Sequence, residues 1–334
     1  MPTFPEQRLN ASAVYKKLRV NKYCLLYAPM QSGKTGTYLC VAKSMLLKGH
    51  VKHVIIFSGN RENDLKFQTI SRAGDLAKVV WGPALTSFNP PEGKTLYIWD
   101  ESHYCQSIGQ SVEVFLTNCG LSPGTSKQNG NYLLSVSATP FSELHNIEPN
   151  FIVHAHVPSS YWSVKDMIKS QQIKFYSSFN ESLLTLKSGF ALIRSQNSHS
   201  VPYDDIVCAF AKEHNIRVIR FDMHFSGDIE HILSQFPPSP TFILIKKRLQ
   251  MGKTIINQQH IRFCLETSSH KHTDSLLQGF IGRFSGFNTN HSTLIHAHIS
   301  SRYDVSRFCD NLIPLKAANL RASSLTTHNE VWCV

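Results

Sequence analysis

Gly33, Lys34 and Thr35 close the octapeptide Ala28-Pro29-Met30-Gln31-Ser32-Gly33-Lys34-Thr35, whose residue types and spacing suit the binding of phosphate groups. A short apolar run, residues 23–27, leads into it, and a helix-compatible stretch runs from it through residue 48. Strand, loop and helix in that order are the context a phosphate-binding loop needs. The chemistry is that of the backbone. Successive amides of the loop and of the helix N-terminus point at the phosphates, and the helix dipole favours negative charge there. Gly33 lets the backbone approach closely, Lys34 reaches the outer phosphates, and the Thr35 hydroxyl is placed to ligate magnesium. The departure is Ala28, which stands where the general motif has its first glycine.

A second constellation follows a second apolar run. Leu96-Tyr97-Ile98-Trp99 ends in Asp100-Glu101. After a phosphate loop, such a pair supplies a carboxylate that holds magnesium (Asp100) and one that orients and deprotonates an attacking water (Glu101). Kinases of small molecules need no such base, because the acceptor hydroxyl is itself the nucleophile. The pair therefore favours hydrolysis, with ATP and magnesium as the expected cofactors.

The elements that must position these residues read as alternating strands and helices. Strands are expected at residues 23–27, 54–57, 96–99, 132–136 and 152–155, then at 191–194, 216–222, 242–245, 262–266 and 293–299. Helices are expected near residues 204–214 and from 304 onward. The fold class is α/β. At 334 residues the chain suits two domains, and 42% hydrophobic residues are enough to build two cores. A hinge is expected at residues 158–163, with domains at 1–157 and 158–334 and no repeat visible in the sequence.

The eight cysteines are scattered without a CxxC pair, which argues for reduced thiols rather than a zinc ribbon or disulfide scaffold. His103 and Cys105 lie close together, but two ligand-type residues without a second pair do not make a metal site. No apolar run is long enough to span a bilayer, and the first residues lack the shape of a signal peptide. An intracellular protein, cytoplasmic or nuclear, is the expectation. The net charge of +11 is shared by both halves, which fits a bound polyanion.

With Asp100-Glu101-Ser102-His103 and Ser137-Ala138-Thr139-Pro140 both in view, the chain resembles the superfamily 2 helicases and translocases, whose corresponding boxes read DEAD or DEAH. Many such ATPases also carry Ala where Ala28 stands. The resemblance implies two tandem RecA-like P-loop domains, each a mostly parallel sheet flanked by helices. It implies that Ser137, Ala138 and Thr139 couple the nucleotide site to nucleic-acid movement, with His103 hydrogen-bonded toward them. Ser58, Gly59 and Asn60 fall where the family touches the sugar-phosphate backbone, although the same letters also make a turn. Gln7 falls near the family's adenine-contacting glutamine, in surroundings that match poorly.

In the second half, Lys246, Lys247 and Arg248 resemble the start of the family's motif V. They would face nucleic-acid phosphates or the nucleotide, or form a solvated basic loop. Gly252 falls on that motif's glycine and Thr254 where aspartate is common. Residues 274–287 resemble motif VI and bring Gln278 and Arg283 to the nucleotide. Gln278 is one residue farther from Gly282-Arg283 than usual, and Gly286 replaces the final arginine. Arg283 is then the arginine-finger candidate, a structural arginine at a helix end being the alternative.

The resemblance covers roughly residues 22–290 in the family's motif order. It implies an ATP-dependent motor on a sequence-independent track, DNA more than RNA, gripped through its backbone. Compactness and the altered motif VI suggest a viral, phage or mobile-element replication helicase, acting with replication partners in a host cell or virion. Three alternatives stand beside it. One is a duplex translocase without unwinding. Another is a DNA-packaging ATPase, disfavoured because the second half offers Gly282-Arg283 rather than clustered acids. The last is a nucleotide-controlled binding module with weak hydrolysis.

Overall fold

A computed structural model of the chain describes residues 4–103, 109–121, 130–140, 143–195, 203–222, 224–246, 248–249, 254–267, 277–287, 290–302 and 305–306. These residues form two compact units that part after Ser159. Lys247, Gly252, Cys105 and most of the helix expected from residue 304 lie outside the described residues.

The first unit runs α1 (Pro5–Asn21), β1 (Tyr23–Tyr27), α2 (Lys34–Leu47), β2 (His53–Ser58), α3 (Asn63–Ala73), β3 (Lys78–Trp81), β4 (Thr95–Asp100), α4 (Ser111–Asn118), β5 (Tyr132–Ser137), α5 (Glu143–Asn146) and β6 (Ile152–His154). Its sheet has the order β3-β2-β4-β5-β1-β6, with every pairing parallel. The second unit runs α6 (Val164–Lys169), β7 (Ile173–Tyr176), β8 (Phe190–Arg194), α7 (Tyr203–Glu213), β9 (Arg217–Phe221), α8 (Ile229–Leu233), β10 (Thr241–Ile245), β11 (Ile261–Glu266) and β12 (Leu294–His298). Its sheet, also parallel throughout, has the order β7-β12-β11-β8-β10-β9. The expected α/β class and parallel sheets are what the structure has.

The continuous apolar runs follow from burial on both faces. In β1, Cys24 and Leu26 enter one core while Tyr23 and Leu25 enter the other. Leu96 and Ile98 of β4 oppose Tyr97 and Trp99 in the same way. Each such side chain contributes about 1.5–3 kcal/mol of burial. Helix α1 covers one face with Ala11, Val14 and Leu18, spaced as one helical stripe. The second unit has its own core around Ala191, Ile193, Phe242, Leu244, Phe263 and Leu265.

The strands read from sequence recur within a residue or two of their expected bounds. Two were not read, β3 (KVVW) and β7 (IKFY). Each has four residues, includes a lysine and lies at a sheet edge, where one side goes unpaired and the apolar signal is weak.

Candidate nucleotide site

In a parallel sheet, loops at the carboxyl ends of neighbouring strands converge. The neighbours β4, β5 and β1 bring three of the motif segments to one end of the first unit. The last residues of β5 act as the common anchor. The Val136 carbonyl accepts from the Ser102 amide at 3.0 Å, and the Ser137 carbonyl accepts from the Ala28 amide at 3.1 Å.

Ala28 and Met30 are buried, while residues 31–35 are partly open. Gly33 caps α2 with φ 87°, and Gln31 has φ 57°. Lys34 begins α2 and extends its ammonium to Glu101 Oε1 at 3.3 Å. Asp100 Oδ1 accepts the Glu101 amide at 3.1 Å, and its Oδ2 accepts the Tyr38 hydroxyl at 3.2 Å. Glu101 has φ 54°, a left-handed conformation that a non-glycine residue adopts at a cost. It turns the carboxylate toward both Lys34 and His103, whose Nδ1 lies 3.6 Å from Glu101 Oε2.

Two adjacent carboxylates almost removed from water repel each other. Burial first, and the Glu101 charge second, push Asp100 up to about 6, against the opposing pull of Lys34. Thr35 hydrogen-bonds Tyr38, and Tyr38 in turn bonds Asp100, so the hydroxyl and carboxylate are joined through one phenol. A hard cation suits this donor set: oxygen ligands beside a pair of carboxylates that Lys34 offsets in part.

His103 Nδ1 and Ser137 Oγ are 3.0 Å apart, and Ser137 Oγ accepts the Thr139 amide at 3.0 Å. Ala138 and Thr139 are buried beside them. The Asp100–His103 segment and the Ser137–Thr139 segment are therefore joined directly. Ser102 donates to Glu143 Oε1 at 2.7 Å, adding the start of α5 to the assembly.

Ser58 and Asn60 are buried, and both serve the turn into α3. The Asn60 amide donates to Ser58 Oγ and the Glu62 amide to Asn60 Oδ1. Gly59 lies between them in the same turn. Gln7 spans from the Phe4 amide to the Gly33 carbonyl, accepting from the first and donating to the second at 3.1 Å.

In the second unit, Arg194 holds the motif V-like segment. It donates to Glu266 Oε2 at 2.9 Å and to the carbonyls of Arg248 and Leu249 at 3.2 and 3.0 Å. The Arg248 guanidinium lies 4.0 Å over the Phe221 ring and donates to the carbonyls of Asp222, Phe225 and Gly227. Lys246 is exposed. Gln278 and Arg283 are both buried, and the Gln258 amide donates to the Arg283 carbonyl at 2.8 Å. The Arg283 charge reaches the buried Cys264 thiol, opposing the rise that burial causes there. Gly286 has φ 123° and exchanges two backbone hydrogen bonds with Trp162, at 2.8 and 3.0 Å. That backbone strains any side chain, which gives a physical reason why no arginine stands at position 286.

Of solved structures, S. cerevisiae Dbp5 bound to RNA and ADP BeF3 aligns over 94% of this chain and 92% of its own, with a TM-score of 0.54 and 12% identity. DEAD-box helicase Mss116 bound to ssRNA and UDP-BeF aligns over 87% and 69%, with a TM-score of 0.56 and 12% identity. The fold is that of the DEAD-box helicases. The chain matches no family model. Uncharacterized protein L594 of Acanthamoeba polyphaga mimivirus is 20% identical over 262 residues, 70% of this chain. The chain spans about 65% of the length of that relative. Among the described residues, no group of three or more metal-ligating side chains occurs, and no helix is long and apolar enough to cross a membrane.

Within this DEAD-box fold, sequence reading passed over Tyr38, Arg72, Glu143, Arg194 and Glu266. Tyr38 had a usable signal, since it lies four residues after Lys34 on the same helix face. Arg72 did not. It comes from α3 to donate to Thr35 Oγ1 at 3.4 Å, a contact that only the fold creates.

Two outcomes are expected from this packing. A Cβ added at Gly36 meets the Gln7 side chain at 2.4 to 2.7 Å. Gly36→Ala displaces the flexible Gln7 carboxamide from its contacts with Phe4 and Gly33 while gaining helix propensity in α2, so it should shift thermal or denaturant unfolding by no more than about 1 kcal/mol. Arg194→Ala takes the guanidinium from the buried Glu266 carboxylate and removes the donors of two carbonyls. A loss of about 3–5 kcal/mol in the unfolding of the second unit is expected, as for a broken buried ion pair. A loss under 1 kcal/mol, well below that range, would show the pair to be dispensable.

Proposed function

We propose that the protein is an ATP-hydrolysing, nucleic-acid-dependent motor of the helicase or translocase type. The observation that carries this reading is the convergence of Lys34, Asp100, Glu101, His103 and Ser137 at the carboxyl ends of three neighbouring strands.

In this reading the loop amides of residues 28–35 and the α2 N-terminus take the phosphates. Lys34 exchanges its contact with Glu101 for the outer phosphates. Glu101 then orients a water and accepts its proton. Thr35 and Asp100 are the residues that would hold magnesium, which when bound neutralises phosphate charge. Hydrolysis is sensed through His103, whose hydrogen bond to Ser137 ties the catalytic segment to Ala138 and Thr139. Ser58, Gly59, Asn60, Lys246 and Lys247 remain the proposed backbone-gripping residues, and Arg248 would join them only by giving up its contacts with three carbonyls of its own unit. Gly252, Gln278 and Arg283 remain the proposed nucleotide contacts of the second unit, Arg283 as the finger.

The track is proposed to be a single strand held without regard to sequence. Dbp5 and Mss116 were solved with RNA, so RNA is tested first and DNA beside it. The reading of DNA over RNA, and of a role in replication, gains nothing from those structures. Strand displacement from a tailed duplex tests unwinding, and displacement of streptavidin from a biotinylated strand tests translocation. Both activities, dependent on ATP, support a helicase. Streptavidin displacement alone supports a translocase, and neither contradicts the motor.

Two observations favour a second reading, a nucleotide-controlled binding module with weak hydrolysis. Gly286 excludes the final arginine, and Arg283 is buried at 1% exposure.

A further inference from the structure

The first unit carries a row of cations at the end of its sheet opposite the phosphate loop. Lys52, Lys94 and Lys22 each immediately precede a strand, β2, β4 and β1 respectively. The register sets them along one edge. The Lys52 amide donates to the Lys94 carbonyl at 2.8 Å, and the Leu133 amide of the intervening β5 donates to the Lys22 carbonyl at 2.9 Å. With neighbouring strands about 4.8 Å apart, the row follows the sheet edge for roughly 15 Å.

The stems lie close over glycines. A Cβ at Gly93 would meet Lys52 Cδ at 3.0 Å, and one at Gly130 would meet Lys94 Cε at 3.4 Å. Arg19 and Lys48 widen the patch. Arg19 donates to the Tyr132 hydroxyl and lies 3.1 Å from His50 Nδ1, and Lys48 lies 4.4 Å over the Tyr15 ring. Lys22 holds a left-handed cap at φ 62°, where glycine is the usual residue, with its ammonium 2.8 Å from the Tyr132 hydroxyl.

Two titratable groups register the resulting field. His50 is held below its ordinary value by burial and then by Arg19, Lys48, Lys22 and Lys94. Burial would raise the Tyr132 phenol, but Lys22 and Arg19 carry it below its ordinary value. Among the described residues, no ion pair joins these cations to a carboxylate.

We infer that this edge is a second polyanion surface, taking the phosphate backbone of a single nucleic-acid strand. Point-charge lysines one and two strand spacings apart suit a flexible chain of phosphates. An acidic peptide is better met by arginine forks. Tyr15 and His50, both partly exposed and 2.7 Å apart through the hydroxyl and Nε2, lie beside the row under Lys48. The strand β1 separates this edge from the phosphate loop by about 16 Å, so the surface is distinct from the nucleotide site and does not rest on hydrolysis.

The test is fluorescence-anisotropy titration of oligo-U and oligo-dT without nucleotide, over a salt series, with the full chain. The comparison is a Lys22→Asn, Lys52→Gln, Lys94→Gln variant, asparagine being tolerated in the left-handed region. Each lost contact lowers the log-log salt slope by about 0.7 for a single strand, so a fall of about 2 is expected. If the triple variant melts early, Lys52→Gln with Lys94→Gln alone should lower it by about 1.4. Acylation of the wild-type lysines read by mass spectrometry supplies the location: the oligonucleotide should shield Lys22, Lys52 and Lys94. An unchanged slope in a folded variant overturns the inference. So does shielding of these lysines by poly-glutamate and not by the oligonucleotide, which would assign the edge to an acidic protein.

Discussion

Glu101→Gln should bind ATP as the native chain does and hydrolyse it about 10²–10⁴-fold more slowly, the usual worth of a positioned base. The substitution keeps the side chain's shape and one oxygen, so Lys34 retains an acceptor at the distance now occupied by Oε1. It removes the group that takes a proton from water. Nucleotide binding read by fluorescence, together with single-turnover hydrolysis, checks both halves. Loss of binding would place Glu101 in nucleotide capture instead. Normal turnover would remove it from the catalytic role altogether.

Lys34→Ala should give the opposite pattern, in which binding itself fails. A charge-assisted contact to phosphate is worth about 1.5–3 kcal/mol, or roughly 10- to 150-fold in Kd. The free protein changes as well. Lys34 is the cation that offsets Asp100 and Glu101, which are 5% and 2% exposed. Without it the repulsion between the two carboxylates loses that offset, so the variant should also melt earlier than the native chain. Isothermal titration with ATP and a thermal scan measure the two effects. Native affinity in Lys34→Ala would contradict the assignment of the loop as the phosphate site.

These two variants probe the part of the molecule that sequence made most legible. Residues 28–35, Asp100-Glu101 and Ser137-Ala138-Thr139 are contiguous, and each follows an apolar run that is continuous because both sheet faces are buried. Local chemistry and strand pattern therefore appear together in the text of the chain. What stayed hidden depends on tertiary contact. Arg72 meets Thr35 from a different helix, and Arg194 is joined to Glu266 across two strands. Neither has a neighbour in sequence that announces it. Lys22, Lys52 and Lys94 read singly as ordinary loop lysines, and only the strand order sets them in a row.

Backbone conformation was equally out of sight. Gly286 reads as a missing arginine, and its φ of 123° supplies the reason. Arg248 reads as one of three basic residues open to phosphate. In the structure its guanidinium holds three carbonyls of its own unit. Residue type suggested the charge, and packing decided where it is used.

The most direct measurement of the central claim is steady-state ATP hydrolysis with and without single-stranded RNA, single-stranded DNA and duplex, at low and moderate salt. A nucleic-acid-dependent motor predicts hydrolysis stimulated by at least one polymer, with the stimulation fading as salt rises because the grip is on phosphates. Hydrolysis that is indifferent to every polymer, or absent with all of them, would contradict it.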